Sequence, residues 1–256
     1  MAHLSVVMIV KNEAHILSAC LEQLNWADEI VVLDSGSSDN TVEVARRYTD
    51  KVFIAADWQG YGVQRQRAQA YATGDWVLMV DADEVLTPAL IAEIKSVVED
   101  DKRNRVYAIP RLSYCFGRFI RHSGWYPDYV VRLYPRDLAG YNGARVHEKL
   151  EFPESMEVVR LHADMLHYTY RDLEHYLVKS AHYASEWARQ RELCGKSASL
   201  LQGFLHGIGC FVRMYVVKAG FLDGRQGLLL ALLSAHSTFV KYADLWVRRQ
   251  PGSIGK

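Results

Sequence analysis

Apolar runs without polar alternation dominate the N-terminal part of the chain, and they constrain the fold more than any other feature. The runs are Leu4–Val10, Glu29–Asp34, Lys51–Ala55 and Trp76–Val80, and a helical pattern follows each of them. Such strands are typical of a parallel sheet, whose strands are buried on both faces. Because strands and helices alternate with short crossovers, we predict an α/β fold with a Rossmann-like, mostly parallel sheet and helices on both faces.

The second half of the chain has a different character. Val106–Tyr114 and Tyr129–Tyr134 are predicted strands, and from residue 171 onwards three wide apolar stripes at helical spacing follow one another. We therefore predict an α/β domain over residues 1–170 and a C-terminal helical extension over residues 171–256.

Composition excludes a disordered chain, because half of the 256 residues are hydrophobic and 23% are charged. Lys+Arg and Asp+Glu both number 30, so the overall charge indicates no partner and nothing predicts nucleic-acid binding. The four cysteines lack metal-type spacing, and the N-terminus has no secretory signal pattern, which is typical of a reduced, cytoplasmic setting. The longest uncharged stretches fall short of the roughly 20 residues of a membrane span, so we expect no transmembrane helix.

Acidic residues end two of the predicted strands. Asp34 closes the second strand, and Asp81 and Asp83 follow the fourth. The carboxyl ends of parallel strands meet at one sheet edge, where ligands of such folds bind. Carboxylates there favour Mg²⁺ or Mn²⁺ shared with a substrate phosphate, so the pattern fits a nucleoside diphosphate held together with a metal ion.

Several short motifs accompany these strands in order. In the first half they are Val-Lys-Asn-Glu (10–13), Asp-Ser-Gly-Ser-Ser-Asp-Asn-Thr (34–41), Gly-Asp-Trp (74–76) and Asp-Ala-Asp-Glu (81–84). In the second half they are Gly-Trp-Tyr-Pro-Asp (124–128), Arg-Leu (132–133), Val-His-Glu-Lys-Leu (146–150), Leu-His-Tyr-Thr-Tyr (166–170) and Leu-Asp-Gly (222–224). Their order and spacing resemble family 2 glycosyltransferases of the GT-A fold. The closer resemblance is to the lipopolysaccharide core β-1,4-glucosyltransferases, which use UDP-glucose and inner-core heptose.

The resemblance implies specific roles for residues on the donor side. Residues 1–100 would be the nucleotide-sugar half of the catalytic domain and residues 101–170 the acceptor half. Asn12 and Glu13 would lie beside the nucleobase, Asp34 would contact the uridine, and Arg65 would lie near the nucleotide. Asp81 would contact the ribose or the metal ion. The family commonly has two successive acids where this chain has Asp34 followed by serine.

The metal ligands and the catalytic base follow from the same resemblance. Asp81 and Asp83 would hold the metal ion, with His147 as a further ligand. Inverting transfer needs one carboxylate to take the proton of the acceptor hydroxyl. Asp128 matches the position of the family's base, and Glu148 is the alternative. His167 is expected to be a hydrogen-bonded core residue rather than a metal ligand.

The expected partners are a UDP-sugar donor and a lipid-linked oligosaccharide acceptor, the lipopolysaccharide inner core. Basic residues outnumber acidic ones in the apolar C-terminal region, which favours an anionic surface. We therefore expect a protein on the cytoplasmic face of the inner membrane. Two other functions remain open from the sequence: a sugar-phosphate nucleotidyltransferase, and a non-catalytic protein that binds glycans or nucleotide sugars at the membrane.

Overall fold

The computed structural model describes residues 2–144, 148–170 and 172–250. These residues form two compact units. The first contains the residues up to Arg111 together with Asp128–His167, and the second contains Leu112–Pro127 and the residues from Tyr168 onwards. Residues 112–127, which the sequence-based division gave to the α/β domain, thus belong to the same unit as the C-terminal helices.

The first unit is built on a sheet whose N-terminal half is parallel. Strands β1 to β4 lie in the order β3-β2-β1-β4, with parallel pairing between neighbours. Strand β8 then pairs antiparallel with β4, and the order continues through β6 and β12 to β5. The strands are β1 (Leu4–Val10), β2 (Glu29–Asp34), β3 (Val52–Ile54), β4 (Trp76–Met79), β5 (Glu84–Leu86), β6 (Arg105–Cys115), β7 (Arg118–Phe119), β8 (Asp128–Pro135), β9 (Gly140–Tyr141), β10 (Leu150–Glu151), β11 (Glu157–Arg160) and β12 (Met165–Tyr170).

Helices cover both faces of this sheet. The side chains of β1 therefore alternate between two apolar cores, one on each face. Met8 packs in one core with Leu17 and Leu90, whereas Val7 packs in the other with Ala68. The helices of this unit are α1 (Ala14–Glu22), α2 (Thr41–Ala45), α3 (Tyr61–Ala70) and α4 (Pro88–Asp100). The predicted fold class, an α/β fold with helices on both faces of the sheet and a C-terminal helical extension, is confirmed.

The register brings the acidic strand ends together. Val10 lies opposite Asp34 in the β1–β2 pair, and β4 lies on the other side of β1. Several short strands were not predicted, and one of them touches the acidic motif: Glu84, the last residue of Asp-Ala-Asp-Glu, begins β5. Its backbone pairs with His167 of β12, a partner so distant along the chain that local sequence gives no sign of it.

The second unit is mainly helical. Its helices are α5 (Leu173–Leu193), α6 (Leu200–Phe211) with a π-helical continuation (Val212–Val217), a 3-10 turn (Gly220–Asp223) and α7 (Gly224–Arg248). Ser199 caps α6 by accepting a hydrogen bond of 3.1 Å from the backbone N–H of Gln202. A small core joins residues of 115–125 to the helices and includes Cys115, Ile120, Tyr176 and Leu230.

Among the described residues, one helical segment has the length and composition of a membrane span. It is Leu200–Val217, 18 residues long, of which 11% is buried. The uncharged stretches counted from the sequence are shorter, because the helix continues through Arg213. The absence of a transmembrane helix stays a prediction. Length and composition alone do not place the segment in a membrane.

Candidate active site

Two loops at the carboxyl edge of the sheet are tied to each other by hydrogen bonds. The Asn12 side-chain oxygen accepts from the backbone N–H of Ser38 at 2.8 Å, and the N–H of Asn12 donates to the Ser37 hydroxyl at 2.8 Å. The N–H of Glu13 donates to the Thr41 hydroxyl at 2.8 Å. The loop after β1 is therefore held against the loop after β2, which fixes the positions predicted to lie beside the nucleobase.

Asp34 lies at the end of β2 and is 1% exposed. Its Oδ1 accepts from the backbone N–H groups of Gly36 and Ser37, both at 2.9 Å, and the Ser37 hydroxyl donates to its Oδ2. This carboxylate therefore stabilises the turn that follows β2. A contact with uridine remains a prediction.

Asp81 lies between two buried arginines. Arg65 from α3 donates to its two oxygens at 2.8 and 3.2 Å, and Arg132 from β8 donates to Oδ2. Both arginines are 5% exposed. Burial by itself would raise the pKa of Asp81, but the guanidinium groups of Arg132 and Arg65 outweigh it and lower that pKa below its ordinary value. Asp81 is therefore ionised at neutral pH.

Glu84 extends this network into the core. Its Oε1 accepts from Arg132 at 2.6 Å, its Oε2 accepts from the N–H of Asp81 at 2.9 Å, and the side chain is fully buried. Burial raises the pKa of Glu84; Arg132 opposes this rise and the Asp81 carboxylate adds to it. A buried charge network of this kind depends on every member being paired.

Two buried guanidinium N–H groups in this network lack a partner among the described residues. They are Nη1 of Arg65 and Nε of Arg132. Leaving a buried donor unpaired costs about 1–3 kcal/mol, and more for a charged group. Such donors suit an anionic ligand such as a phosphate group.

Glu148, the alternative base, is bound to the same arginine. Its Oε1 accepts from Nε of Arg65 at 3.0 Å, and its side chain is 16% exposed. Arg65 thereby joins Asp81 to Glu148. His147, predicted as a metal ligand, lies outside the described residues.

Asp83 lies beside a histidine that the sequence reasoning assigned to the core. The Nε2 of His167 is 3.3 Å from Oδ2 of Asp83, and both side chains are partly exposed, at 14% and 30%. The Asp83 carboxylate is an oxygen ligand of the kind that Mg²⁺ and Mn²⁺ prefer, whereas the imidazole beside it is a ligand typical of transition-metal ions. Among the described residues, no group of three or more His, Cys, Asp or Glu side chains could hold a metal ion.

Asp128, the predicted base, begins β8 and is paired with Arg111 of β6. Nε and Nη2 of Arg111 donate to Oδ2 of Asp128 at 3.0 and 2.5 Å, and the Asp128 side chain is 45% exposed. Nη1 of the same arginine lies 3.7 Å from Glu84. The exposed carboxylate is thus accessible to a substrate and held in one orientation.

Sequence reasoning gave no role in the site to three of its members, namely Arg111, Arg132 and His167. Arg132 carried a signal besides its motif, because a charge in the middle of the otherwise apolar stretch 129–134 must be paired if the strand is buried. For Arg111 and His167 the signal is weak, because their partners are set by strand pairing.

Comparison with known proteins identifies the family. The profile of Glycosyl transferase family 2 matches residues 5–150, which is more than half of the chain. An uncharacterized glycosyltransferase of Rickettsia prowazekii is 28% identical over 96% of this chain and 87% of its own length. The lipopolysaccharide core biosynthesis glycosyltransferase LpsC of Rhizobium meliloti is 26% identical over 94% of this chain and 93% of its own length.

Among solved structures, the chain is similar to mannosyl-3-phosphoglycerate synthase of Rubrobacter xylanophilus. The TM-score is 0.49 and the identity 17%, over 76% of this chain and 75% of that one. The family profile and the named relatives decide against a nucleotidyltransferase and a non-catalytic binding protein. The chain belongs to glycosyl transferase family 2 and is a glycosyltransferase.

Proposed function

We propose that the protein is a metal-dependent, inverting hexosyltransferase that moves glucose from UDP-glucose onto a heptose of the lipopolysaccharide inner core. The observation that carries this proposal is the pair of buried arginines around Asp81, with Asp83, directly before β5, in contact with His167 of β12. The named relative LpsC supports the acceptor class.

The donor is held by the edge of the sheet. Asn12, Glu13 and Asp34 shape the nucleobase and ribose end, because their loops are tied together. Arg65 and Arg132 each keep one guanidinium N–H group without a partner among the described residues, and we assign the donor diphosphate to the positive charge of these two side chains.

Asp83 and His167 would hold the metal ion, and Asp81 supports the site through its arginines. Two protein ligands would leave room for phosphate oxygens, as in Mg²⁺ sites that bind few protein ligands together with substrate phosphates. A bound ion would supply positive charge to the leaving diphosphate, so that no protein acid has to protonate it. His167 takes the place of His147 in this proposal, since it lies next to Asp83.

Asp128 removes the proton of the acceptor hydroxyl. The hydroxyl oxygen then forms a bond to the anomeric carbon, the bond from that carbon to the diphosphate oxygen breaks, and UDP leaves with the electron pair. Arg111 orients the carboxylate during this step. We assign Glu148 to the positioning of Arg65, because its carboxylate accepts from that guanidinium group.

The metal and donor are tested by binding. UDP- and GDP-sugars are added singly with and without Mn²⁺ or Mg²⁺, and the thermal midpoint is measured. We expect UDP-glucose to raise the midpoint only with metal, and Asp83→Ala to abolish that rise. Asp50→Ala, at an exposed carboxylate, is the matched control and behaves as the wild type. A metal-independent rise in both variants contradicts the proposed metal site.

The base is tested by transfer kinetics with purified acceptor. Asp128→Asn is expected to lower kcat about 10²–10⁴-fold while UDP-glucose still binds, because only proton transfer is lost. Glu148→Gln is expected to weaken donor binding with a smaller change in kcat. If Asp128→Asn retains turnover and Glu148→Gln loses it, Glu148 is the base.

A further inference from the structure

Helix α6 packs against α7 through small residues. A Cβ atom added at Gly203 would lie 2.9 Å from Cβ of Tyr242, and one at Gly207 would lie 3.1 Å from the carbonyl oxygen of Ala235. Both glycines are buried, whereas every large aliphatic residue of α6 is exposed. The apolar face of α6, which a water-soluble protein would bury in its core, is therefore exposed.

The exposed side chains form one continuous apolar surface, which we call the α6 surface. Its members are 42–70% exposed. They are Leu200, Leu201, Phe204, Leu205, Ile208, Val212, Val216 and Val217. In a lipid bilayer, helices place small residues at their contacts with one another and large apolar residues on the outer surface, because water does not drive their packing. Helix α6 has this arrangement.

The charge at the end of this surface is positive. Arg213, Lys218 and Arg225 are exposed. The two acids of the same region do not offset them, because Asp223 is 1% exposed and Asp244 is paired with Arg248 at 3.1 Å. Basic residues at the border of an apolar surface are attracted to anionic headgroups.

The packing of α6 also distinguishes lying on a membrane from spanning it. Since α6 is held to α7, the two would have to cross together, and α7 carries Lys241, Asp244 and Arg248. Arg213 lies within the apolar segment itself. A position in the plane of the membrane surface leaves these charges in water or among headgroups.

We infer that the α6 surface inserts into one leaflet of an anionic membrane, with Arg213 and Lys218 at the level of the headgroups. The inference complements the lipid-linked acceptor proposed above. It is tested without donor or acceptor, so the two proposals can fail separately.

Vesicle flotation measures this directly with the full-length protein. Wild type is expected to float with vesicles of phosphatidylglycerol and phosphatidylcholine and to float less with phosphatidylcholine alone. Leu201→Ser/Leu205→Ser is expected to lower the partition coefficient at least about tenfold, because the apolar area inserted is lost. Its control is Leu138→Ser/Val158→Ser, which alters two exposed apolar residues of the first unit and keeps wild-type binding.

The charge contribution is measured in the same assay. Arg213→Glu/Lys218→Glu is expected to lower binding to anionic vesicles by about tenfold or more, with little change on phosphatidylcholine and a weaker effect in high salt. Arg46→Glu/Arg47→Glu changes the overall charge equally at exposed positions of the first unit and keeps wild-type binding. Circular dichroism confirms that each variant is folded.

Three results would each overturn the inference. The first is wild-type protein that does not float, and the second is an α6 variant that floats like wild type. The third is a stable dimer in sedimentation velocity without lipid that Leu201→Ser/Leu205→Ser dissociates, because the surface would then bind a second copy of the chain.

Discussion

The two units of this protein depart from ordinary burial in opposite ways. The first buries charged residues: Arg65, Arg132 and Glu84 are at most 5% exposed. The second exposes apolar residues such as Leu201 and Leu205, at 67% and 58%. Charged residues are rarely buried unless paired, and a contiguous exposed apolar surface usually marks an interaction site.

The difference shows which residues contribute to the stability of each unit. The buried charges of the first unit depend on one another, so removing one member leaves the rest uncompensated. The exposed leucines of the second unit contribute little to folding, because the folded state does not remove them from water. Mutations should therefore separate the two units sharply.

The largest expected effect is at Arg132. Arg132→Met should lower the free energy of unfolding by about 3–5 kcal/mol, because Asp81 and Glu84 lose their shared partner in a buried setting. Urea denaturation measures the change. Arg105→Met is the control: it breaks the partly exposed pair with Glu157, 2.8 Å long, and should cost less than about 1 kcal/mol. Equal losses would mean that the buried network is no more important than a surface pair.

A second acid, the partly buried Glu29, gives a pH-dependent effect. Burial alone would raise the pKa of Glu29, but hydrogen bonds from Lys51, Ser5 and Thr73 outweigh it and lower the pKa from 4.5 to about 2. Because the folded pKa is the lower one, this stabilisation is complete above pH 4.5 and is lost as the pH falls towards 2.

Glu29→Gln should therefore cost about 1–3 kcal/mol at pH 7, and the difference from wild type should shrink on acidification through that range. Urea titrations at several pH values measure it. Glu99→Gln, at an exposed acid of α4, should stay within about 0.5 kcal/mol of wild type throughout. A difference that persists unchanged at low pH would rule out the ionised carboxylate as its source.

The smallest effect concerns the helix contact of the second unit. Gly203→Ala should lower the free energy of unfolding by about 1–2 kcal/mol, because its Cβ would lie too close to Tyr242. Gly209→Ala is the matched control, since nothing lies within 4 Å of its added Cβ. It should raise the free energy of unfolding by up to about 1 kcal/mol, because alanine has the higher helix propensity. The same sign for both variants would show that α6 is not held through Gly203.

Local sequence patterns predicted much of the fold. The strands β1 to β4 follow apolar runs. Helix α4 starts at Thr87 and Pro88, a pair typical of helix N-termini, with the Thr87 hydroxyl accepting from the backbone N–H of Leu90. The acidic edge was also predicted, because the carboxyl ends of parallel strands lie at the same edge of the sheet. The start of β5 at Glu84 was missed, since it forms only by pairing with β12.

The partners of the site residues were not predictable in the same way. His167 lies opposite Glu84 in the β5–β12 pair, which brings it beside Asp83. Likewise Arg111 lies opposite Asp128 in the β6–β8 pair. Both contacts depend on the register between paired strands, and a shift of one residue would turn each side chain to the other face.

The sequence by itself determined the family, the fold class and the positions of Asp34, Asp81 and Asp83 at the strand ends, because these depend on local apolar runs and short motifs. Only the tertiary structure decided that two buried arginines hold Asp81, that His167 meets Asp83, and that α6 turns its glycines inward and its leucines outward. Helical periodicity shows that a helix has an apolar face. Which face is buried depends on the neighbour it packs against, and here the close approach of α7 admits only glycine.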